Sequence, residues 1–171
     1  MIRTNLISKD RAIREIKAGV NKYRQGYFVT IDSIHQDYRY GNRLIDDETI
    51  IDFGEDLMEA AHGLNKYCYG RNHKNSECKF NVYGAMEIGK DTSRLHAHIL
   101  MLFDKPSERS SEDFTNRLIT KIAPKLSFAE GVNGIKIEPL DLQKAEGFPD
   151  YALKSYNWMF DKYGVSSLVL L

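Results

Sequence analysis

Little in this chain provides for cross-linking. Its two cysteines, Cys68 and Cys78, are too few and too irregularly placed for a disulfide framework or a zinc knuckle. Reduced, partly buried thiols are the expectation. The chain also has no run of about twenty apolar residues, so no transmembrane helix is expected. No secretory leader opens it, which makes a soluble protein of the cytoplasm, with no membrane partner, the expected class. Internal repeats and low-complexity tracts are lacking. So is an excess of either charge: 24 Lys and Arg balance 24 Asp and Glu. A neutral total predicts only modest attraction to non-specific polyanions and reliance on a few positioned contacts.

What charge there is, is segregated. Asp46, Asp47, Glu48, Asp52, Glu55, Asp56 and Glu59 concentrate the negative side chains in one stretch. Lys66, Arg71, Lys74 and Lys79 stand against a single Glu77, and Arg3, Lys9, Arg11, Arg14, Lys17, Lys22 and Arg24 crowd the N-terminal segment. Such segregation permits a local phosphate-binding track in a neutral protein, although solvated helix faces account for most charge runs.

A length of 171 residues fits one domain, 1–171, with a sizeable core. Leu6, Ile13, Ile16 and Val20 predict a helix over about residues 8–24, ended by Gly26. Residues 27–34 are aromatic and β-branched, as in a strand. Ile50, Phe53, Leu57, Ala61, Leu64 and Cys68 predict a long helix over 47–69. Residues 110–125 form another, with Ser110 and Asp113 spaced like a capping box. Residues 135–138 alternate as a strand that Pro139 ends, and the apolar tail 165–171 is either a last edge strand or a packed end. The order of elements is α+β: a central antiparallel sheet with helices packed on it, one sheet face open for chemistry and the other covered.

The richest segment is Leu95-His96-Ala97-His98-Ile99-Leu100-Met101-Leu102-Phe103. Leu95, Ala97, Ile99, Met101 and Phe103 alternate with the two histidines, which predicts a half-buried strand. His96 and His98 then point to one side, about 7 Å apart along the chain, and form half of a divalent metal site. The upstream segment from Lys79 to Ile88 alternates too: Phe80, Val82, Met86 and Ile88 share one face, and Asn81, Tyr83, Ala85 and Glu87 the other. The short polar link from Gly89 to Arg94 fits a hairpin. Antiparallel pairing then brings Glu87 beside His96 as a third ligand; a solvated strand-end carboxylate is the alternative. A mixed N/O set with open positions suits Mn²⁺ or Mg²⁺. If Glu87 is not the third ligand, Asp32 on the first strand is the next candidate.

A nucleophile candidate lies further on. Gly147, Pro149 and Asp150 resemble a helix start, and in such a helix Tyr151, Lys154, Ser155 and Trp158 share one face. Ala152, Tyr156, Met159 and Tyr163 share another, so Tyr156 is expected in the core. Lys154 either eases deprotonation of Tyr151 or holds a phosphate beside it. A tyrosinate suits reversible covalent phosphoryl transfer. Tyr-x-x-Lys pairs are common on helix surfaces, so this pair alone decides nothing.

Taken in order, Phe28-Val29-Thr30, then Glu87, His96 and His98 as Glu-x(8)-His-x-His, then Tyr151-x-x-Lys154 about fifty residues later, the chain resembles the HUH endonucleases. More narrowly, it is similar to the single-tyrosine rolling-circle replication initiators (Rep proteins) of small plasmids and phages. The resemblance covers roughly residues 27–158 and rests on the order and spacing of the motifs. At the first motif the sequence departs: where the family often has Asn after Phe-x-Thr-hydrophobic, Asp32 and Ser33 follow Ile31. The resemblance implies an RRM-like or ferredoxin-like sheet with the histidine strand in its middle and the tyrosine helix across the metal face. It further implies that Glu87, His96 and His98 hold a divalent cation, that Tyr151 attacks a scissile phosphate of single-stranded DNA or an origin hairpin, and that Lys154 positions that phosphate. Arg94, Lys79 and Trp158 are the candidate DNA-contacting side chains, with Tyr83 a further stacking candidate. A helicase domain is not expected within these residues, so unwinding is expected of a host or separately encoded helicase, and synthesis of a polymerase.

Two other readings compete. A single-tyrosine transposase has the same chemistry with hairpin substrates and an obligate dimer. A non-catalytic, RRM-like nucleic-acid-binding module carries aromatics on its sheet face, where this sequence has His96, His98 and Glu87.

Overall fold

The computed structural model describes residues 8–36, 45–74, 79–89, 94–105, 134–154 and 168–170. Helix α1 (Lys9–Tyr23) is capped by Ser8, whose hydroxyl accepts the Arg11 N–H. Arg24, in the left-handed conformation at φ 55°, closes it by donating its N–H to the Val20 carbonyl. So Gly26 does not stop the helix, as the sequence predicts. It opens strand β1 (Gly26–Gln36), and a Cβ there would lie 2.0 Å from the Met101 carbonyl oxygen. The residue is glycine because two backbones meet.

Helix α2 (Asp47–Tyr69) follows the predicted bounds, and every residue of its predicted stripe is buried. Asp46 caps it, accepting from the Thr49 N–H and hydroxyl. A short 3₁₀ turn, Gly70–Lys74, ends this segment. Strands β2 (Asn81–Ile88) and β3 (Arg94–Leu102) form the expected hairpin, with Glu87 opposite His96. Among the described residues, strand β4 (Ile135–Pro139) pairs with β1 alone, so Pro139 sits on an edge strand where a missing N–H is tolerated. The tail supplies β5 (Leu168–Leu170), the edge-strand alternative. The five strands lie in the order β4-β1-β3-β2-β5, all antiparallel, with the histidine strand in the centre.

A further helix corrects the sequence reading. Helix α3 (Leu142–Ala152) begins one turn after β4, capped by Asp141, and holds Gly147 and Pro149 inside it. Tyr151 therefore stands at the end of this helix, not at its start, and Lys154 lies in the turn beyond. Leu142, Gln143, Lys144, Ala145 and Glu146 are good helix formers that carry the helix up to the proline. The predicted face shared with Ser155 and Trp158, the core position of Tyr156, the helix over 110–125 and Cys78 lie outside the described residues.

Both faces of the sheet are covered. On one, Val29, Ile31, Val82, Met86, Leu95, Ala97 and Ile99 pack against Ile50, Phe53, Leu57 and Leu64 of α2. Asn65 pins α2 to the entry of β2, accepting the Phe80 N–H at 2.6 Å and donating to its carbonyl at 3.2 Å. On the other, Phe28, Ala85, Leu100 and Leu102 pack against Ala12, Ile16 and Val20 of α1 and Ala145, Phe148 and Ala152 of α3. The expected open metal face is thus only partly open. Two helices cover the half carrying Leu100 and Leu102, because β3 stays apolar beyond His98 on that side. The other half, over which no helix lies among the described residues, carries the polar rows.

Candidate metal centre

Cross-strand register arranges the polar face in transverse rows. Asp32, His96 and Glu87 form one row across β1, β3 and β2. Lys136, Thr30, His98 and Ala85 form the next, across β4, β1, β3 and β2. Directly opposed residues on paired strands share a face, so the register alone gathers these groups.

At the centre is one carboxylate oxygen. Glu87 Oε1 lies 2.7 Å from His96 Nε2, 3.1 Å from His98 Nε2 and 3.0 Å from Lys154 Nζ. Glu87 is buried (3% exposed), whereas both imidazoles are partly reachable. Burial opposes ionisation of Glu87, but hydrogen bonds from His96, His98 and Lys154 outweigh it and hold the carboxyl well below the usual carboxylate range. For His96, burial disfavours the charged ring; the hydrogen bond to Glu87, a second to the Arg94 carbonyl, and the charges of Glu87 and Asp32 prevail and raise it above its ordinary value.

The donor set suits a metal. Among the described residues, Glu87, His96 and His98 offer ligand atoms within 4.8 Å of one another, so this group can hold a metal ion. Separations of 2.7 and 3.1 Å match neighbouring ligands on one small divalent ion, which lie roughly 3 Å apart when each bond is about 2.1 Å. His96 Nδ1 is 3.1 Å from the Arg94 carbonyl oxygen. Donating that N–H fixes the ring and directs Nε2, which donates its own proton to Glu87 here, along the line on which a metal would replace that proton, as at metal-bound histidines.

Tyr151 completes the constellation. Its ring centroid is 4.8 Å from that of His98, edge to face, and the residue is 51% exposed. Lys154 Nζ sits 4.1 Å from the Tyr151 ring centroid while it contacts Glu87, so one ammonium bridges the tyrosine and the carboxylate. Helix α3 and the hairpin together bring an exposed phenol, an ammonium and a His₂Glu group to one spot.

The other predicted side chains fare differently. Arg94 stands two positions before His96 on β3. Lys79 precedes β2 at the end opposite Glu87, about 27 Å away along the strand, and is not part of the site. Tyr83 is half-buried under α1, close enough to Gly19 that a Cβ there would touch its hydroxyl, so it packs rather than stacks. Trp158 lies outside the described residues. Asp32 is beside His96 but outside the close group. The sequence reading misses Lys136 and Glu138. The alternation of β4 puts Lys136 and Glu138 on one side, but only the pairing with β1 shows that this side carries the histidines. Comparison with protein-family models, curated proteins and solved structures gives no match. No helix among the described residues is long and apolar enough to cross a membrane.

Proposed function

We propose that this chain is a metal-dependent enzyme that nicks and rejoins single-stranded DNA, initiating rolling-circle replication through a 5′-phosphotyrosine on Tyr151. The observation that carries the reading is the exposed Tyr151 ring, 4.8 Å from His98 and beside the His96, His98 and Glu87 group. A nucleophile within reach of a cation site is the minimum such a reaction needs. The HUH resemblance of the motif order supports the same assignment.

Glu87, His96 and His98 would hold Mn²⁺ or Mg²⁺, which would supply Lewis-acid polarisation of the scissile phosphate. Tyr151 Oη forms the new bond to phosphorus as the bond to the 3′-oxygen breaks. The phenol loses a proton and the 3′-hydroxyl gains one, so the exchange conserves charge and is reversible. Lys154, already on the Tyr151 ring, neutralises the phosphate as it approaches the tyrosine. The liberated 3′-hydroxyl primes synthesis, and a later strand end reverses the linkage.

The partners in this reading are single-stranded DNA or an origin hairpin, a host or separately encoded helicase, and a polymerase, all in the cytoplasm of the host cell. A purely binding, RRM-like module is disfavoured by the sheet face itself, which carries imidazoles and a carboxylate beside the half that α1 and α3 cover. Incubation with labelled single-stranded DNA and Mn²⁺ tests the proposal: a covalent protein–DNA adduct is expected, and its absence across metals and origin sequences contradicts it.

A further inference from the structure

Helix α1 turns a basic surface to solvent on the side of the sheet that carries the histidines. Its buried stripe is Ala12, Ile16, Gly19 and Val20, which leaves Arg14, Lys17, Ala18 and Asn21 exposed on the opposite face of the helix. Lys22 and the cap residue Arg24 are exposed beside them. The two carboxylates of the helix do not answer these cations. Asp10 lies in the first turn, and Glu15 pairs with Arg11 at 2.8 Å. Among the described residues, no carboxylate pairs with Arg14, Lys17, Lys22 or Arg24. Beneath this surface, Ala12, Ile16 and Val20 share one core with Ala145, Phe148 and Ala152 of α3, the helix that carries Tyr151. The basic surface and the tyrosine therefore belong to one packed unit.

The other face of the sheet has the opposite sign. Helix α2, which covers it, carries Asp47, Glu48, Asp52, Glu55, Asp56 and Glu59 against Lys66 alone. A chain of zero net charge thus divides its charge across the sheet. It attracts a polyanion to the α1 side, where the tyrosine stands, and repels it from the α2 side. Resting on the nicking reading, we infer that the exposed face of α1 binds the phosphate backbone of duplex DNA adjoining the single-stranded site.

Three features favour a duplex over other polyanions. At about 1.5 Å per residue, Arg14 and Arg24 stand about 15 Å apart along the helix. That length matches about four successive phosphates of one duplex strand, at about 3.4 Å each along the axis. The exposed face of α1 carries no aromatic side chain, so it lacks the stacking platforms that hold single strands. The apolar face of α1 is buried against the sheet and α3, so the helix has none to insert into a lipid surface. Contacts of this kind position a duplex without reading its sequence.

The test titrates the full chain, in EDTA, against a fluorescent blunt duplex over a range of salt concentrations, followed by anisotropy. Each cation on a phosphate adds about −0.9 to the slope of log K against log salt, so Arg14, Lys17 and Arg24 together should supply about −2.7. The triple variant Arg14→Gln, Lys17→Gln, Arg24→Asn should lose that share of the slope and at least about tenfold in affinity at low salt. Arg14→Lys with Arg24→Lys keeps the charge and should keep the slope, which separates lost charge from lost fold. Lys66→Gln, on the other face, should change neither slope nor affinity. A single strand of the same length should lose less in the triple variant than the duplex does, and phosphatidylserine vesicles should not bind. No duplex binding, an unchanged slope in the triple variant, an equal loss on the single strand, or binding to vesicles in place of duplex would overturn the inference. The readout needs neither metal nor cleavage. Duplex binding that follows α1, with no covalent adduct on single-stranded DNA, would leave this surface and remove the nicking reading; an adduct with an unchanged slope in the triple variant would do the reverse.

Discussion

Glu87 and His96 stand directly opposite each other on β2 and β3, with Oε1 2.7 Å from Nε2. The pairing register of one hairpin is thus enough to bring a carboxylate and an imidazole together, and His98, two residues on, joins the same oxygen. Substitutions here should act on cation binding with little effect on the core, because none of the three side chains belongs to either apolar cluster. Glu87→Gln keeps the shape and one acceptor but removes the charge that favours a hard cation. It should raise the metal midpoint for nicking at least tenfold and reduce, not abolish, the rate at saturating Mn²⁺. His96→Ala and His98→Ala should abolish measurable Mn²⁺ binding with native circular dichroism. An unchanged midpoint in Glu87→Gln would move the third ligand to Asp32.

Lys154 contacts the oxygen that a metal would use. Its ammonium and a cation compete for the same charge, so Lys154→Met should tighten Mn²⁺ binding several-fold in calorimetry. It should also slow adduct formation, since the phosphate loses its neutralising partner beside Tyr151. Tighter metal with slower chemistry separates this role from a general loss of structure, which would weaken both.

The pH dependence has a defined sign. Glu87 is depressed below its ordinary 4.5, so its contribution to folding is present above that value and lost as pH falls. His96 is raised above its ordinary 6.5, so its contribution is complete below 6.5 and lost as pH rises through the raised value. Metal-free protein should accordingly be most stable between about 4.5 and 6.5 as far as this pair governs stability. A metal displaces the His96 proton, so the rise in Tm on adding Mn²⁺ should be larger at pH 8 than at pH 5.5. Thermal melts with EDTA and with Mn²⁺ at both values check this; a metal increment independent of pH would contradict it.

Gly26 provides a test of the fold that supports the site. Because a Cβ there would meet the Met101 carbonyl, Gly26→Ala must push β1 from β3. A loss of about 1–3 kcal/mol is expected in urea unfolding. Since Thr30 and Asp32 pair with His98 and His96 along the same two strands, metal affinity should fall with it.

The grouping of Glu87, His96 and His98 was legible in the sequence because its signals are short-range. A two-residue period and a short polar link determine which side chains of one hairpin meet, and Glu87, His96 and His98 need nothing more. The burial of Ile50, Phe53, Leu57 and Leu64 followed equally from helical spacing. Helix α3 was misplaced because Gly147 and Pro149 look like punctuation, whereas Asp141 and five good helix formers had already begun the helix. Lys136 and Glu138 were illegible for a different reason: their place on the histidine side of the sheet depends on β4 joining β1 across a long stretch of chain, and no local pattern encodes that pairing. The covering of the histidine face by α1 was hidden in the same way, since its stripe of Ala12, Ile16, Gly19 and Val20 says that the helix packs but not on which face of the sheet.

The central claim is that Tyr151 becomes covalently joined to DNA in the presence of a divalent metal. Labelled single-stranded DNA incubated with the full chain and Mn²⁺, followed by denaturing electrophoresis and peptide mapping of the adduct, measures this directly. The account predicts an adduct on Tyr151, lost in Tyr151→Phe, lost on adding EDTA, and greatly reduced in His96→Ala. An adduct mapped to another residue, or one that persists in Tyr151→Phe, would contradict it.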